Sequence, residues 1–193
     1  MEVTYHSFEL SPDTPVDFEG GEAEYLATHK GITAAQAQQM LERVTGVAAD
    51  AGLQYRFDLL KHTNTVKAHE LLHYARSTES PDANGMQLAL VERLMSAYFT
   101  EGRHLGEDDE LVALAADVGL DPEAARAALA DHTYIDAVRA DEEQARAYGI
   151  NGVPFFVIDG KYGVSGAQPA DAFAQIVRQV WAEHVDGDDE AAA

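Results

Sequence analysis

The sequence contains no cysteine, and this absence excludes several kinds of chemistry. Without a thiol the polypeptide cannot form a disulfide, ligate zinc through sulfur, supply a cysteine nucleophile or act by itself as a thiol redox switch. Basic residues are also few, since 13 Lys and Arg stand against 34 Asp and Glu and give a formal net charge of −21. Such a charge repels phosphate backbones and anionic lipids, so we expect no nucleic-acid partner.

Long apolar runs are absent as well. No stretch approaches the roughly 18 consecutive apolar residues of a membrane span. The opening residues, Met1 to Tyr5, carry neither the basic nor the apolar region of a secretory signal. We therefore expect no membrane contact and a cytoplasmic location. We also expect no cofactor. The length of 193 residues and the 46% hydrophobic content suit one domain, or one domain with an insertion.

Local patterns predict strands near both ends of the chain and helices between them. Residues 2–10 are rich in β-branched and aromatic types and precede a Ser-Pro-Asp turn, which favours a strand. Two more strands are predicted at 153–158 and 161–164, because Asp159-Gly160 is a strong hairpin signal. A short extended segment is predicted at 54–60. Apolar spacing and capping residues predict helices over 34–52, 64–75, 86–99, 111–118 and 135–148. Two more are predicted to open at Asp121-Pro122 and at about residue 169.

Two blocks of sequence carry a family resemblance. Residues 152–168 read Gly-Val-Pro-Phe-Phe-Val-Ile-Asp-Gly-Lys-Tyr-Gly-Val-Ser-Gly-Ala-Gln, and residues 64–73 read Asn-Thr-Val-Lys-Ala-His-Glu-Leu-Leu-His. With Glu-Val-Thr-Tyr-His-Ser-Phe-Glu-Leu at 2–10, they resemble the DsbA-like thioredoxin-fold oxidoreductases of the FrnE-like branch. That branch is related to the 2-hydroxychromene-2-carboxylate isomerases and the kappa-class glutathione transferases.

The resemblance implies an α/β, thioredoxin-like fold with an all-helical insertion. Residues 1–15 and 150–185 would form the thioredoxin-like part and residues 16–149 the mainly helical insertion. Residues 186–193 would form an acidic, disordered tail.

The resemblance also implies a substrate-binding site. Pro154 would follow a cis peptide bond, and the backbone of Val153 would face a sulfur-bearing substrate. Asn64 and Thr65 would border the site, and Gln168 at a helix start would receive a carboxylate. Judged without the resemblance, Asn64 and Thr65 only cap a helix and Pro154 only opens a strand.

In the family, a strand, a Cys-x-x-Cys motif and a helix precede the segment that resembles residues 2–10. We therefore expect the N-terminal βα unit, with its catalytic cysteine, to be missing here. The expected function is that of a thiol-disulfide oxidoreductase in a cysteine-free, truncated form that is redox-inert alone. Its expected partners are thiol- or disulfide-bearing proteins or small molecules, and we hypothesise a homodimer that completes the sheet.

Three other interpretations stay open. One is a redox-inert binding or scaffold module. Another is a glutathione-linked isomerase of the 2-hydroxychromene-2-carboxylate type, although Gly166-Ala167-Gln168 replaces the Ser-Asp pair that grips glutathione in kappa-class enzymes. The third is a zinc metallopeptidase, because His69-Glu-x-x-His73 has the spacing of two zinc ligands on one helix face, with Glu92 as a third ligand. The short pattern arises readily in a chain with 8 His and many Glu, so we favour the DsbA-like interpretation.

Overall fold

A computed structural model of the protein describes residues 2–78 and 83–191. The chain divides into two compact units, residues 1–143 and 144–193. The second unit holds a hairpin of β1 (Phe155–Ile158) and β2 (Tyr162–Ser165), followed by α8 (Ala170–Ala191). The other helices are α1 (Glu22–Lys30), α2 (Ala34–Asp50), α3 (Val66–Ser77), α4 (Ala83–Ser96), α5 (Asp108–Asp117), α6 (Pro122–Ala130) and α7 (Ile135–Ala147), the last of which begins in the first unit and ends in the second. The α/β class is confirmed.

Local capping signals set several helix ends. The Thr33 hydroxyl accepts the Gln36 N–H at 3.2 Å, and the Gln36 side chain accepts the Thr33 N–H at 2.9 Å, which is the capping box predicted for α2. Asp121 caps α6 and Pro122 occupies its first position, also as predicted. The long helix predicted from Met86 begins earlier, at Ala83, and continues beyond Ser96 as a π-helical turn over Ala97–Glu101.

Helix α1 was not predicted from the sequence. It buries only Tyr25, so its apolar residues do not form the stripe that marks an amphipathic helix. Its signals lie at its ends instead. The Glu24 side chain accepts the Gly21 N–H at 3.1 Å, and Gly31 ends the helix with a φ of 62°. A glycine in this left-handed conformation is a common helix terminator, because other residues adopt it at a cost.

The hydrophobic core lies in the first unit, where α3 packs against α4, α5 and α6. Leu71, Leu90, Leu111 and Leu114 are fully buried. The cluster comprises Ala68, Leu71, Ala75, Leu90, Leu94, Ala97, Leu105, Leu111, Val112, Leu114, Ala115, Leu120, Ala125 and Leu129. Among the described helices, none has the length and hydropathy that crossing a bilayer requires.

Residues 2–10 form no strand, so that prediction was wrong. The segment runs along the helices, and its alternate residues are bonded to side chains instead of to a neighbouring strand. The Gln87 side chain accepts the Tyr5 N–H at 3.2 Å and donates to the Tyr5 carbonyl at 3.1 Å. Asp141 accepts the Ser7 N–H at 2.8 Å. The bonded residues thus alternate along the segment as in a strand, but side chains provide the pairing groups. Residues 54–60 likewise form a loop, which the Arg56 N–H ties to the Phe99 carbonyl at 2.7 Å.

In the second unit, β1 and β2 are antiparallel, with Phe155 opposite Ser165 and Ile158 opposite Tyr162. The predicted Asp159-Gly160 turn joins them, with φ values of 55° and 64°. The Phe156 and Phe173 rings meet edge to face at 4.4 Å between centroids, which holds α8 to the hairpin.

Helix α8 continues to Ala191, which differs from the disordered tail predicted over 186–193. Residues 192 and 193 lie outside the described residues. The grouping of residues 1–15 with 150–185 as a thioredoxin-like part remains a prediction.

Candidate substrate-binding site

A shallow cavity lies beside the turn that leads into β1, within the second unit. Its volume is about 350 Å³. Helix α7 ends ahead of it, and Gly149 has a φ of 72°. No ionisable side chain lines this cavity, so it suits an uncharged group. The lining residues are Gly149, Asn151, Gly152, Val153, Pro154, Phe155, Ser165 and Gly166.

Val153 and Pro154 form the rim of this cavity. The peptide bond between them is cis. Pro154 is fixed to the hairpin, because its carbonyl accepts the Gly166 N–H at 2.9 Å. Within the described part of the chain, no hydrogen bond uses the N–H or C=O of Val153, and 48% of this residue is exposed. Val153 thus presents a donor and an acceptor that an extended ligand can pair with.

Gln168 lies near the same cavity but makes a local bond. Its Nε2 donates to the Ser165 carbonyl at 2.8 Å and so braces the turn between β2 and α8. The contacts of Gln168 are those of a turn residue.

Asn64 and Thr65 lie in the first unit, at the start of α3. Asn64 is bonded throughout: its Nδ2 donates to the Pro12 carbonyl at 3.0 Å, its Oδ1 accepts the Val66 N–H at 2.9 Å, and its N–H donates to the Pro15 carbonyl at 3.2 Å. Asn64 therefore caps α3 and fixes the preceding loop. The Thr65 side chain makes no capping bond. A substrate role for either residue remains a prediction.

The zinc interpretation fails on geometry. Among residues 2–78 and 83–191, only Asp17, His104 and Glu107 bring three ligand atoms within 4.8 Å of one another. His73 instead bonds to Ser7 and Asp141 through its Nε2, and Glu92 is exposed. Glu70, the general base of that interpretation, is buried, and its Oε1 lies at hydrogen-bond distance, 2.9 Å, from His132 Nδ1.

The hydrogen bonds of His104 make the Asp17, His104 and Glu107 group unfavourable for metal binding. His104 Nδ1 accepts the Gly106 N–H at 3.2 Å, so the neutral ring carries its proton on Nε2. That nitrogen lies 3.7 Å from Asp17 Oδ1. A metal would have to displace this proton, and we assign no metal centre here.

The first unit contains a largely buried polar network that no pattern in the sequence indicates. Ser7 Oγ lies 3.1 Å from His73 Nε2, which also lies 3.2 Å from Asp141 Oδ2. His6 Nδ1 lies 2.8 Å from Asp141 Oδ1. Ser7 and Asp141 meet the same His73 nitrogen, so the three do not form the relay of a serine hydrolase, in which the acid and the serine bind opposite ring nitrogens. No local motif marks Asp141, because its partners are distant in the sequence.

Burial also changes the titration of His69, one position before Glu70. Desolvation lowers the pKa of His69 to about 4, so the ring is neutral near neutral pH. Its Nδ1 is buried and makes no hydrogen bond within the described residues. His69 is therefore a largely buried, uncharged side chain on α3.

Comparisons with known proteins agree with this architecture. The family model of the DsbA-like thioredoxin domain matches residues 1–178. The chain belongs to the DsbA-like thioredoxin-domain family. The crystal structure of a probable DsbA oxidoreductase from Streptomyces coelicolor superposes with a TM-score of 0.85 at 41% identity, covering 94% of this chain and 76% of that one. The thioredoxin-like fold expected from the sequence is thereby confirmed.

A curated relative is more distant. The uncharacterized protein YwbO of Bacillus subtilis is 29% identical over 133 residues, which is 68% of this chain. The alignment spans 63% of YwbO, somewhat under two thirds of its length. Family membership therefore establishes the fold of this DsbA-like chain. It does not specify the substrate or the partners.

Proposed function

We propose that this DsbA-like chain carries the substrate-side part of a FrnE-like thiol-disulfide oxidoreductase. It would bind an extended segment of a thiol- or disulfide-bearing partner along Val153. The observation that carries the proposal is the exposed Val153 backbone at the rim of an uncharged cavity, whose N–H and C=O have no partner among the residues that the structure describes. The Asn64–His73 segment and the residues from Gly152 to Gln168 support the FrnE-like branch.

The absence of cysteine limits what the chain does alone. Thiol-disulfide exchange requires a thiolate that attacks a disulfide sulfur and forms a mixed disulfide. None of the 193 residues supplies that sulfur. We expect no acceleration of insulin reduction by dithiothreitol when the chain is added, measured by turbidity. An acceleration would contradict redox inertness.

Binding is the activity that remains, and amide NMR locates it. A disulfide-free extended peptide, with serine in place of cysteine, is titrated into the ¹⁵N-labelled chain. We expect shifts at Gly152, Val153 and Gly166 and none at the Asp159-Gly160 turn, which does not line the cavity. Shifts confined to the first unit would contradict the assignment.

A pair of variants isolates the backbone donor. Val153→Pro removes the N–H, and Val153→Ala keeps it while trimming the side chain. A lost hydrogen bond of about 1 kcal/mol corresponds to roughly fivefold weaker binding for the proline variant. The alanine variant should bind nearly as the parent does, and circular dichroism checks that both are folded. Equal binding by the two variants would show that the Val153 N–H is not used.

We also propose that a second copy of the chain pairs with residues 2–9. The N–H and C=O groups of Thr4, His6 and Phe8, called here the open edge, make no hydrogen bond within the described residues. In an extended segment, these groups point away from the side held by Gln87 and Asp141. An antiparallel pair formed with the same segment of a second copy would satisfy them in both chains.

Light scattering tests this pairing. Two chains of charge −21 repel each other, and salt screens that repulsion, so we expect the dimer fraction to rise with ionic strength. A chain that stays monomeric at low and high salt would refute the dimer.

A further inference from the structure

One carboxylate, that of Asp141, contacts two consecutive residues of the segment that carries the open edge, in addition to the bonds that Gln87 makes to Tyr5 and Arg139 makes to Glu9. Asp141 accepts the Ser7 N–H at 2.8 Å and lies 2.8 Å from His6 Nδ1 and 3.2 Å from His73 Nε2. Ser7 and His73 are only 4% and 6% exposed, whereas 61% of the His6 side chain is exposed. Asp141 Oδ2 thus bonds to the buried Ser7 and His73, and Asp141 Oδ1 bonds to the exposed ring of His6.

The placement of His6 links this carboxylate to the open edge. The His6 backbone groups belong to the edge, while the His6 side chain bonds to Asp141. Ser7, the next residue, bonds to Asp141 through its N–H and to His73 through its hydroxyl. A change of charge at His6 therefore acts on the bonds that orient the edge.

We propose that Asp141, together with His6 and His73, is a proton-controlled clamp that holds the open edge against the helices of the first unit. This proposal rests on the strand pairing proposed above and names its regulation. Asp141 is a positioning residue in this role, since it does not contact the partner strand.

The groups around the clamp determine how it responds to pH. Burial alone would raise the pKa of Asp141, but hydrogen bonds from His6, His73 and the Ser7 N–H outweigh it and hold that pKa well below its usual range. The hydrogen bond to Asp141 raises the pKa of His6 above 6.5, against partial burial and the charge of Arg76. The other titratable or charged groups facing the clamp are His69 on α3, Arg139 and Glu142 on α7, and Glu9 on the segment itself.

The pKa shifts of Asp141 and His6 affect the clamp in different pH ranges. A depressed Asp141 pKa means that the carboxylate's contribution is complete above pH 3.8 and is lost only as the pH falls through the lower folded value. A raised His6 pKa means that the imidazolium's contribution is complete below pH 6.5 and is lost as the pH rises through the higher folded value. The clamp is thus tightest in mildly acidic solution and loosens as His6 loses its proton.

An NMR titration of the dilute, monomeric chain tests the clamp directly. From about pH 5 to about pH 9, where histidines titrate, the His6 ring and the Ser7 amide are followed together. We expect one shared midpoint above 6.5. In Asp141→Asn the His6 midpoint should fall towards 6.5 and the Ser7 amide should stop responding to it. A parent His6 midpoint at or below 6.5, or a midpoint unchanged by Asp141→Asn, would overturn the clamp.

Two variants guard against a general structural effect. Glu143→Gln removes an exposed carboxylate from the same helix and should leave both signals as in the parent. His6→Gln removes the titrating ring while Asp141 remains, so the Ser7 amide should keep its position but lose its pH dependence. A Ser7 amide that titrates in His6→Gln with the same midpoint and amplitude as in the parent would also overturn the clamp.

Measuring the dimer fraction distinguishes the clamp from the strand pairing on which it rests. In the parent, the dimer fraction should fall as the pH rises through the His6 midpoint, and in Asp141→Asn it should not depend on pH in that range. A chain that is always monomeric but shows the shared titration refutes the strand pairing and supports the clamp. A dimer whose pH dependence survives in Asp141→Asn refutes the clamp and supports the pairing.

Discussion

The two units of this protein bury their apolar side chains very differently. The first, residues 1–143, contains the whole cluster of buried apolar residues around α3 to α6. In the described part of the second unit, Ala145 and Val180 are the buried hydrophobic residues, each 9% exposed. Its exposed large apolar residues are Tyr148, Val153, Phe156, Val157, Tyr162 and Trp181.

The difference indicates how each unit is stabilised. Burial of apolar area is the main favourable contribution to folding, and a two-stranded hairpin is marginal without a further layer. The first unit therefore gains more stability from apolar burial, and it also fixes residues 2–9 through side-chain hydrogen bonds. The second unit gains less from burial. Its exposed apolar surface includes Val153, at the rim of the proposed binding site, which is consistent with a surface kept for a partner.

The largest expected effect is a loss of stability when a buried residue of the first unit is truncated, compared with an exposed residue of the same unit. Leu111→Ala removes a fully buried side chain and should lower the free energy of unfolding by about 2–5 kcal/mol. Urea denaturation followed by helical circular dichroism measures this. The matched variant Val47→Ala trims a residue that is 70% exposed and should change stability by less than about 0.5 kcal/mol. Similar losses in both variants would break the comparison.

A smaller effect is expected where side chains replace a strand. Gln87→Leu removes both partners of the Tyr5 backbone and should cost about 1 kcal/mol, because water can reach Tyr5 and satisfy part of the loss. Hydrogen exchange at the Tyr5 amide should accelerate. Gln39→Leu, on the exposed face of α2, is the control and should leave that amide unchanged. An unchanged Tyr5 amide in Gln87→Leu would mean that the pairing seen in the structure does not form in solution.

The smallest effect is expected in the second unit. Trp181 is the single tryptophan and is 69% exposed, so its fluorescence reports on that unit alone. We expect the red-shifted emission of a hydrated indole and ready quenching by acrylamide, an uncharged quencher that the negative charge does not repel. Trp181→Phe should change stability by less than about 0.5 kcal/mol. Blue-shifted, protected emission would show that this face is covered in solution.

The site was only partly predictable from the sequence. The residues around Val153 and Pro154 could be singled out because they form one contiguous block, and the structure places them on one cavity. For Asn64, by contrast, the contacts in the structure are those that its capping signal predicts. Its substrate role stays a prediction. The HExxH spacing was misleading, because helical periodicity brings His69 and His73 to one face but does not decide what that face meets.

The sequence by itself determined the elements that depend on near neighbours. The capping box of Thr33 and Gln36, the Asp121-Pro122 helix start and the Asp159-Gly160 turn are all fixed within a few residues, and the lack of cysteine needs no structure at all. Only the tertiary structure decided that residues 2–9 bond to side chains and that Asp141 meets His6 and His73, 135 and 68 positions away. Such pairings depend on how helices pack, and local propensity carries no information about partners that far along the chain.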